Sequence, residues 1–131
     1  NDQHQLYEDL FSGLKTLVER LQQKNLFDDT LIVVLSEMTR TPKMNADEGK
    51  DHWPSTSAIL ISGGLNGGKV IGGTDANNLE ALPVRLSTGQ VDSSQSTKIN
   101  YDNFAAGVLH AAGIDTEQYM PGVEVLHGIV D

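Results

Sequence analysis

The sequence predicts an α/β fold of three layers, α/β/α, around a partial parallel sheet. Three observations point there. Leu6, Leu10, Leu14, Leu17 and Leu21 recur at steps of three and four, the spacing of one helix face. Two apolar runs, Leu31–Leu35 and Ala58–Ile61, show no alternation, which fits strands covered on both faces, as in a parallel sheet. Between them lies an irregular segment of about twenty residues, and a loop that long in a compact domain is usually functional or disordered.

Tyr7, Phe11 and Val18 widen the leucine stripe into an amphipathic helix of about five turns. Asp2 is its expected N-cap, with Gln5 three residues on, and Glu8 and Asp9 suit the positive end of the helix dipole. Asn25 is a left-handed stop. Asp28 and Asp29 lead into the first strand, about 30 to 35, and the second spans about 57 to 62. These two are expected as parallel neighbours, with the first helix covering one face.

Gly63 to Gly68 reads as a turn, Lys69-Val70-Ile71 as a short extended piece, and Pro83-Val84-Arg85-Leu86 as a short edge strand. Ser93 to Thr97 is a polar surface loop. The last helix runs from about Tyr101 to Ala112, capped by Asn100 and closed by Gly113. Phe104, Val108, Leu109 and Ala112 form its expected buried side, and Ile114 sits where the hydrophobic contact of a Schellman ending belongs.

The chain has 131 residues, enough for one domain with a real core; it is 38% apolar and 21% charged, as in a soluble globular protein. A net charge of -9, from 18 acids against 9 bases, argues against nucleic acid or an anionic membrane as partner, since either needs a cationic face. There is no apolar run near the roughly 18 residues that span a bilayer, and no targeting segment. The absence of cysteine excludes disulfides and thiolate metal sites and leaves the compartment open. Asn1 is not a start methionine and a helix begins almost at once, so the chain is expected to be a piece of something longer.

Gly63, Gly68 and Lys69 nearly spell a phosphate-binding loop. The Ser/Thr position that would hold Mg²⁺ is Val70, however, and Val-Ile-Gly-Gly follows where a helix should start, so a glycine-rich turn is the better reading. Of the four histidines, none stands two to four residues from another, so no local metal-ligand spacing exists. His110 is expected exposed on the last helix, His127 lies near the terminus, and His4 is ambiguous.

Glu37 and His52 stand apart by position, Glu37 just past the first strand and His52 just before the second. Were those strands parallel neighbours, both side chains would reach the same sheet edge, where a carboxylate and an imidazole suit Zn²⁺, Mn²⁺ or a similar ion. The alternative is a hydrogen-bonded pair tying down a long loop, with Arg40 saturating Glu37.

At these residues the chain resembles a known family. Thr30 to Leu35 followed by Ser36-Glu37-Met38-Thr39-Arg40-Thr41-Pro42, then Asn45, Gly49 and Asp51-His52-Trp53-Pro54, looks like the bacterial family called domain of unknown function 1501. The likeness continues through Ile59 to Gly64, Gly67 to Gly72, and Asp102 to Gly113 with Pro121-Gly122-Val123. Members of that family are similar to the alkaline-phosphatase and sulfatase superfamily. The resemblance implies an alkaline-phosphatase-like α/β/α fold, with residues 1–131 a single domain forming the C-terminal portion of a longer one. It implies metal ligands at Glu37 and His52, and Arg40 and Thr41 orienting the loop or meeting an anionic substrate. Thr39 and Lys50 depart from the family's glycine and arginine, and the family's aspartate-threonine-histidine element lies upstream of the first helix.

Two functions of different class follow. The first is a metal-dependent hydrolase of phosphate or sulfate esters, with a divalent ion (Zn, Mn, Mg or Ca) and a small anionic ester as substrate, metal-free and inactive when this chain is taken alone. The second is a non-catalytic exported scaffold or binding protein. The resemblance also suggests the periplasm or beyond.

Overall fold

A computed structural model describes residues 2–131; the side chain of Asp2, and with it the expected N-cap, lies outside the described part. The first helix, α1, spans Asp2–Gln23. It stops where expected: Asn25 takes a left-handed φ of 54° and the Leu26 amide reaches back to the Leu21 carbonyl at 2.9 Å. β1 (Ile32–Leu35) and β2 (Thr39–Arg40) follow, then β3 (His52–Trp53) and β4 (Ala58–Ile61).

The sheet differs from expectation. β1 pairs antiparallel with β4, in a register from Ile32 opposite Ile61 to Leu35 opposite Ala58. β2 pairs antiparallel with β3, and the third sheet, β5 (Val84–Arg85) with β6 (Gln90–Val91), is antiparallel as well. The described chain therefore holds three two-stranded antiparallel sheets rather than a three-layer α/β/α alkaline-phosphatase-like fold. The physical reason lies in the connection. A parallel pair needs a crossover, usually a helix, whereas residues 36–57 contain none and simply turn back. Nor are the apolar runs covered on both faces, since Leu35 and Ile59 are 51% and 41% exposed.

β1 to β4 form one long ribbon with an irregularity at its waist. Residues 36–38 on one side face residues 54–57 on the other, so the returning side carries one extra residue, as in a bulge. The Thr39 hydroxyl donates to the Ser55 carbonyl, and the Thr56 hydroxyl donates to the Ser36 carbonyl at 3.3 Å, closing that waist without ladder bonds. α1 does not seal a face of the ribbon. A cleft of about 300 Å³ separates it from β4, with Phe11, Leu14 and Val18 on one wall and Ile59 and Ile61 on the other.

The best-packed part of the chain is C-terminal. Val84, Ala106, Leu126 and Ile129 are its fully buried apolar residues, drawn from β5, from α2 (Tyr101–Ala111) and from the closing 3-10 turn His127–Ile129. α2 begins at Asn100, whose side chain accepts from the Asn103 amide at 2.8 Å while the Asn103 side chain accepts from the Asn100 amide. Gly113 (φ 73°) ends it, and the Ile114 amide returns to the Leu109 carbonyl at 3.0 Å. The buried line of α2 is Asn103, Ala106 and Gly107, with Phe104, Val108 and Leu109 half-buried and Ala112 exposed. The apolar stripe thus misplaces the buried side by a fraction of a turn, because a polar Asn and a bare Gly occupy the closest approach. A short helix, α3 (Thr116–Tyr119), capped by Asp115, leads to the closing turn. No helix among the described residues is long and apolar enough to cross a membrane.

Gly128 marks the tightest approach of this body. A Cβ there would lie 2.3 Å from the Gly89 nitrogen and 2.4 Å from the Thr88 carbonyl carbon, both backbone atoms that cannot rotate away. Gly128→Ala is expected to destabilise the chain by about 1–3 kcal/mol in urea unfolding, the usual cost of overpacking. Gly67→Ala, where a Cβ meets nothing, is the control; equal midpoints for the two variants would contradict this packing.

Candidate functional site

The ribbon determines where the candidate side chains go. Arg40 and His52 are direct cross-strand partners, as are Thr39 and Trp53. Opposed residues in an antiparallel pair project to the same face, so Arg40 and His52 share one face and Thr39 and Trp53 the other. The Trp53 indole nitrogen donates to the Leu79 carbonyl at 3.3 Å, which ties its face to the 74–81 loop. Arg40 and His52 are left exposed.

Beyond this pair the chain turns through residues 41–51, and the turn is built by two side chains. The Thr41 hydroxyl donates to the Lys43 carbonyl at 2.8 Å and accepts from the Asp51 amide at 3.2 Å, while the Thr41 amide donates to the Asp51 carbonyl at 2.9 Å. The Asn45 carbonyl oxygen of the side chain accepts from the amides of Asp47 and Gly49, and its Nδ2 donates to Asp51 Oδ1 at 2.9 Å. Arg40 Nη1 donates to the Lys50 carbonyl at 3.3 Å, leaving the rest of the guanidinium fork without a protein partner among the described residues. Thr41 and Asn45 are thus fasteners of the loop, and Arg40 and His52 are what it displays.

Glu37 sits in the irregular waist. Its carboxylate is exposed, and its backbone carbonyl accepts a 2.6 Å hydrogen bond from the Tyr101 hydroxyl at the start of α2. Among the described residues no ion pair joins Glu37 to Arg40, and no hydrogen bond joins it to His52. The loop is instead held by Thr41, Asn45 and Tyr101. Antiparallel pairing nonetheless keeps the waist and the tip at the same end of β1 and β4. In an antiparallel pair the carboxyl end of one strand lies beside the amino end of the other; a parallel pair would have separated Glu37 from His52 by a strand length.

Metal binding requires more than this pair. Among the described residues no three His, Cys, Asp or Glu side chains gather closely enough to hold an ion. Glu37 and His52 alone fall short of the three protein ligands a catalytic zinc site uses. The carboxyls that the fold holds below the usual range lie elsewhere. Asp92 is lowered to about 2, chiefly by hydrogen bonds from the Ser94 hydroxyl and amide and then by Arg85; Asp75 is lowered by the amides of Asn77 and Asn78. His110 and His127 also meet, edge to face with ring centres 4.8 Å apart, a pairing that their distance in sequence conceals.

What these elements define is an arrangement of helices and antiparallel ribbons, presenting an exposed Arg/His pair on a braced loop. The chain belongs to the family described as "Protein of unknown function (DUF1501)", which matches residues 1–127. No curated protein and no solved structure matches it.

Tyr101 is the brace between the loop's base and the packed body, and nothing in the periodicity of α2 marks it. Tyr101→Phe is expected to cost about 0.5–1.5 kcal/mol, the net worth of one hydrogen bond. Amide exchange at residues 36–38 should accelerate more than exchange within α2. Unchanged exchange there would mean that the hydroxyl does not hold Glu37.

Proposed function

We propose that this chain is the C-terminal portion of a longer hydrolase of phosphate or sulfate esters, and that loop 41–51 presents the residues that meet the anionic ester. The observation that carries this reading is the cross-strand pair Arg40–His52 on an exposed face, held by a loop whose own polar groups are satisfied by one another. A guanidinium with free fork donors suits two oxygens of a phosphate or sulfate. Ser36 to Pro42 and Asp51 to Pro54 resemble the domain of unknown function 1501 family, and the similarity of that family's members to the alkaline-phosphatase and sulfatase superfamily supports the same chemistry.

Arg40 would grip and orient the anion, while Thr41 and Asn45 keep its backbone in place. Glu37 and His52 would be part of a metal ligand set whose other members come from outside these residues. A divalent ion held there would polarise the ester and activate the attacking oxygen. The family resemblance supports a periplasmic or extracellular location.

A second reading is favoured by a separate observation. The apolar residues of α1 stand in solvent, Leu6 at 67% and Phe11 at 53% exposure, which suits a non-catalytic exported scaffold or binding protein. Elemental analysis separates the two. In the longer protein, stoichiometric divalent metal lost on His52→Ala, with Arg40→Ala raising KM for an aryl phosphate or sulfate by about tenfold or more, supports the hydrolase. Metal-free protein unaffected by His52→Ala supports the scaffold. The 131-residue chain alone is expected not to turn over such esters. Hydrolysis by it at a rate that His52→Ala abolishes would contradict the claim that the centre draws on residues beyond it.

A further inference from the structure

We propose that the hairpin 74–81 is a strained latch, and that through Trp53 it shifts the Arg40–His52 face between a held and a loosened state. The root of the hairpin is fixed to the C-terminal body: the Gly72 amide donates to the Gly89 carbonyl at 2.7 Å, and the Leu82 amide to the Gly73 carbonyl at 2.9 Å. Thr74 then pairs with Ala81, and the tip between them is a tight turn. Asp75 caps that turn. Its Oδ1 accepts from the Asn77 amide at 2.8 Å and the Asn78 amide at 3.1 Å, while the Leu79 amide returns to the Asp75 carbonyl at 2.9 Å. The Leu79 carbonyl turns outward instead and accepts from the Trp53 indole at 3.3 Å.

Leu79 makes this contact under strain. Its φ of 59° lies in the left-handed region, which the end of such a turn ordinarily gives to Gly or Asn because any larger side chain crowds the following carbonyl. Its side chain is 37% exposed, so burial does little to offset that crowding. The penalty of one left-handed residue and the net worth of one hydrogen bond are of the same order, which leaves the latch finely balanced. A residue held in this way stays there only while its surroundings fix it, and such residues cluster at clamps and switches.

Trp53 carries the state of the latch to the candidate residues. It follows His52 in the chain and lies opposite Thr39, which precedes Arg40. Holding the indole therefore holds both strands of the β2–β3 ladder from the face behind Arg40 and His52. The next bond along the ribbon runs from the Thr41 amide to the Asp51 carbonyl, at 2.9 Å. With the latch closed, guanidinium and imidazole are pre-positioned for an anion; with it open, loop 41–51 can swing to admit or release one. Trp53 is in this sense a positioning residue. Its use for an anion rests on the reading of this face as an ester site, whereas the latch is tested with no ligand present, so the two can fail separately.

The chain has one tryptophan, so a single indole resonance reports on the latch. The experiment measures hydrogen exchange in the 131-residue chain at the Trp53 Nε1–H and at the Thr41 amide. Leu79→Asn and Leu79→Gly, which both suit the left-handed conformation, should slow indole exchange by about threefold to tenfold, and Thr41 should slow with it. Leu79→Val, worse than leucine at positive φ, should speed both. Trp53→Phe should speed exchange at Thr41 and abolish its response to residue 79, the coupling that a double-mutant cycle isolates. The Ala112 amide, which bonds the Val108 carbonyl at the far end of α2, should not respond. Indole exchange indifferent to residue 79 would overturn the proposal. So would a Thr41 response that survives Trp53→Phe.

Discussion

Because β1 and β4 run antiparallel, the chain between them must leave and return at the same end of the ribbon. That direction of pairing decides what the intervening residues can do. It continues past the bulged waist into the short β2–β3 ladder, where Arg40 is opposite His52. A two-stranded ribbon is marginal by itself in water. Its far end is therefore braced: the Trp53 indole bonds the Leu79 carbonyl and the Tyr101 hydroxyl bonds the Glu37 carbonyl. These two contacts connect the ribbon to the 74–81 loop and to the start of α2.

The packed part turns on a buried polar residue. Asn103 is 5% exposed, yet each of its polar groups is matched. Its amide and side-chain oxygen complete the cap with Asn100, its Nδ2 donates to the Glu124 carbonyl at 2.8 Å, and its own carbonyl accepts from the Leu126 amide at 3.3 Å. A satisfied buried amide fixes register in a way that apolar contacts cannot, since misplacing it leaves donors without partners. It holds the C-terminal segment against α2, and the small Gly107 and Gly128 let backbone and side chains approach closely there. Among the described residues the N-terminal half has no counterpart. α1 stands across an open cleft, and its apolar face is only half-covered.

Local signals in the sequence carried well. Asn25 and Gly113 are left-handed stops, Asn100 caps its helix, and Pro83 to Leu86 contains a short strand, because caps, stops and breakers act within a few residues of themselves. Strand direction did not carry. An unbroken apolar run such as Ile32–Leu35 is compatible with either direction, and the informative feature was the connection: residues 36–57, interrupted by Pro42, Asn45, Gly49 and Pro54, hold no helix that could make a crossover. The candidate residues Glu37, Arg40, Thr41 and His52 were legible from their segment. Their relations were not, since Thr41 proves to be a loop fastener and Arg40 faces His52 rather than Glu37. Tyr101, distant in sequence from Glu37, was invisible for the same reason.

The account therefore depends on strand direction, because a braced loop displaying Arg40 and His52 on one face exists only if the ribbon doubles back. Cross-strand proton NOEs in an isotope-labelled sample measure this directly. The account predicts contacts linking Ile32 with Ile61 and Leu35 with Ala58, continued by Arg40 with His52. Contacts linking Ile32 with Ala58 and Leu35 with Ile61 would establish a parallel pair and contradict it.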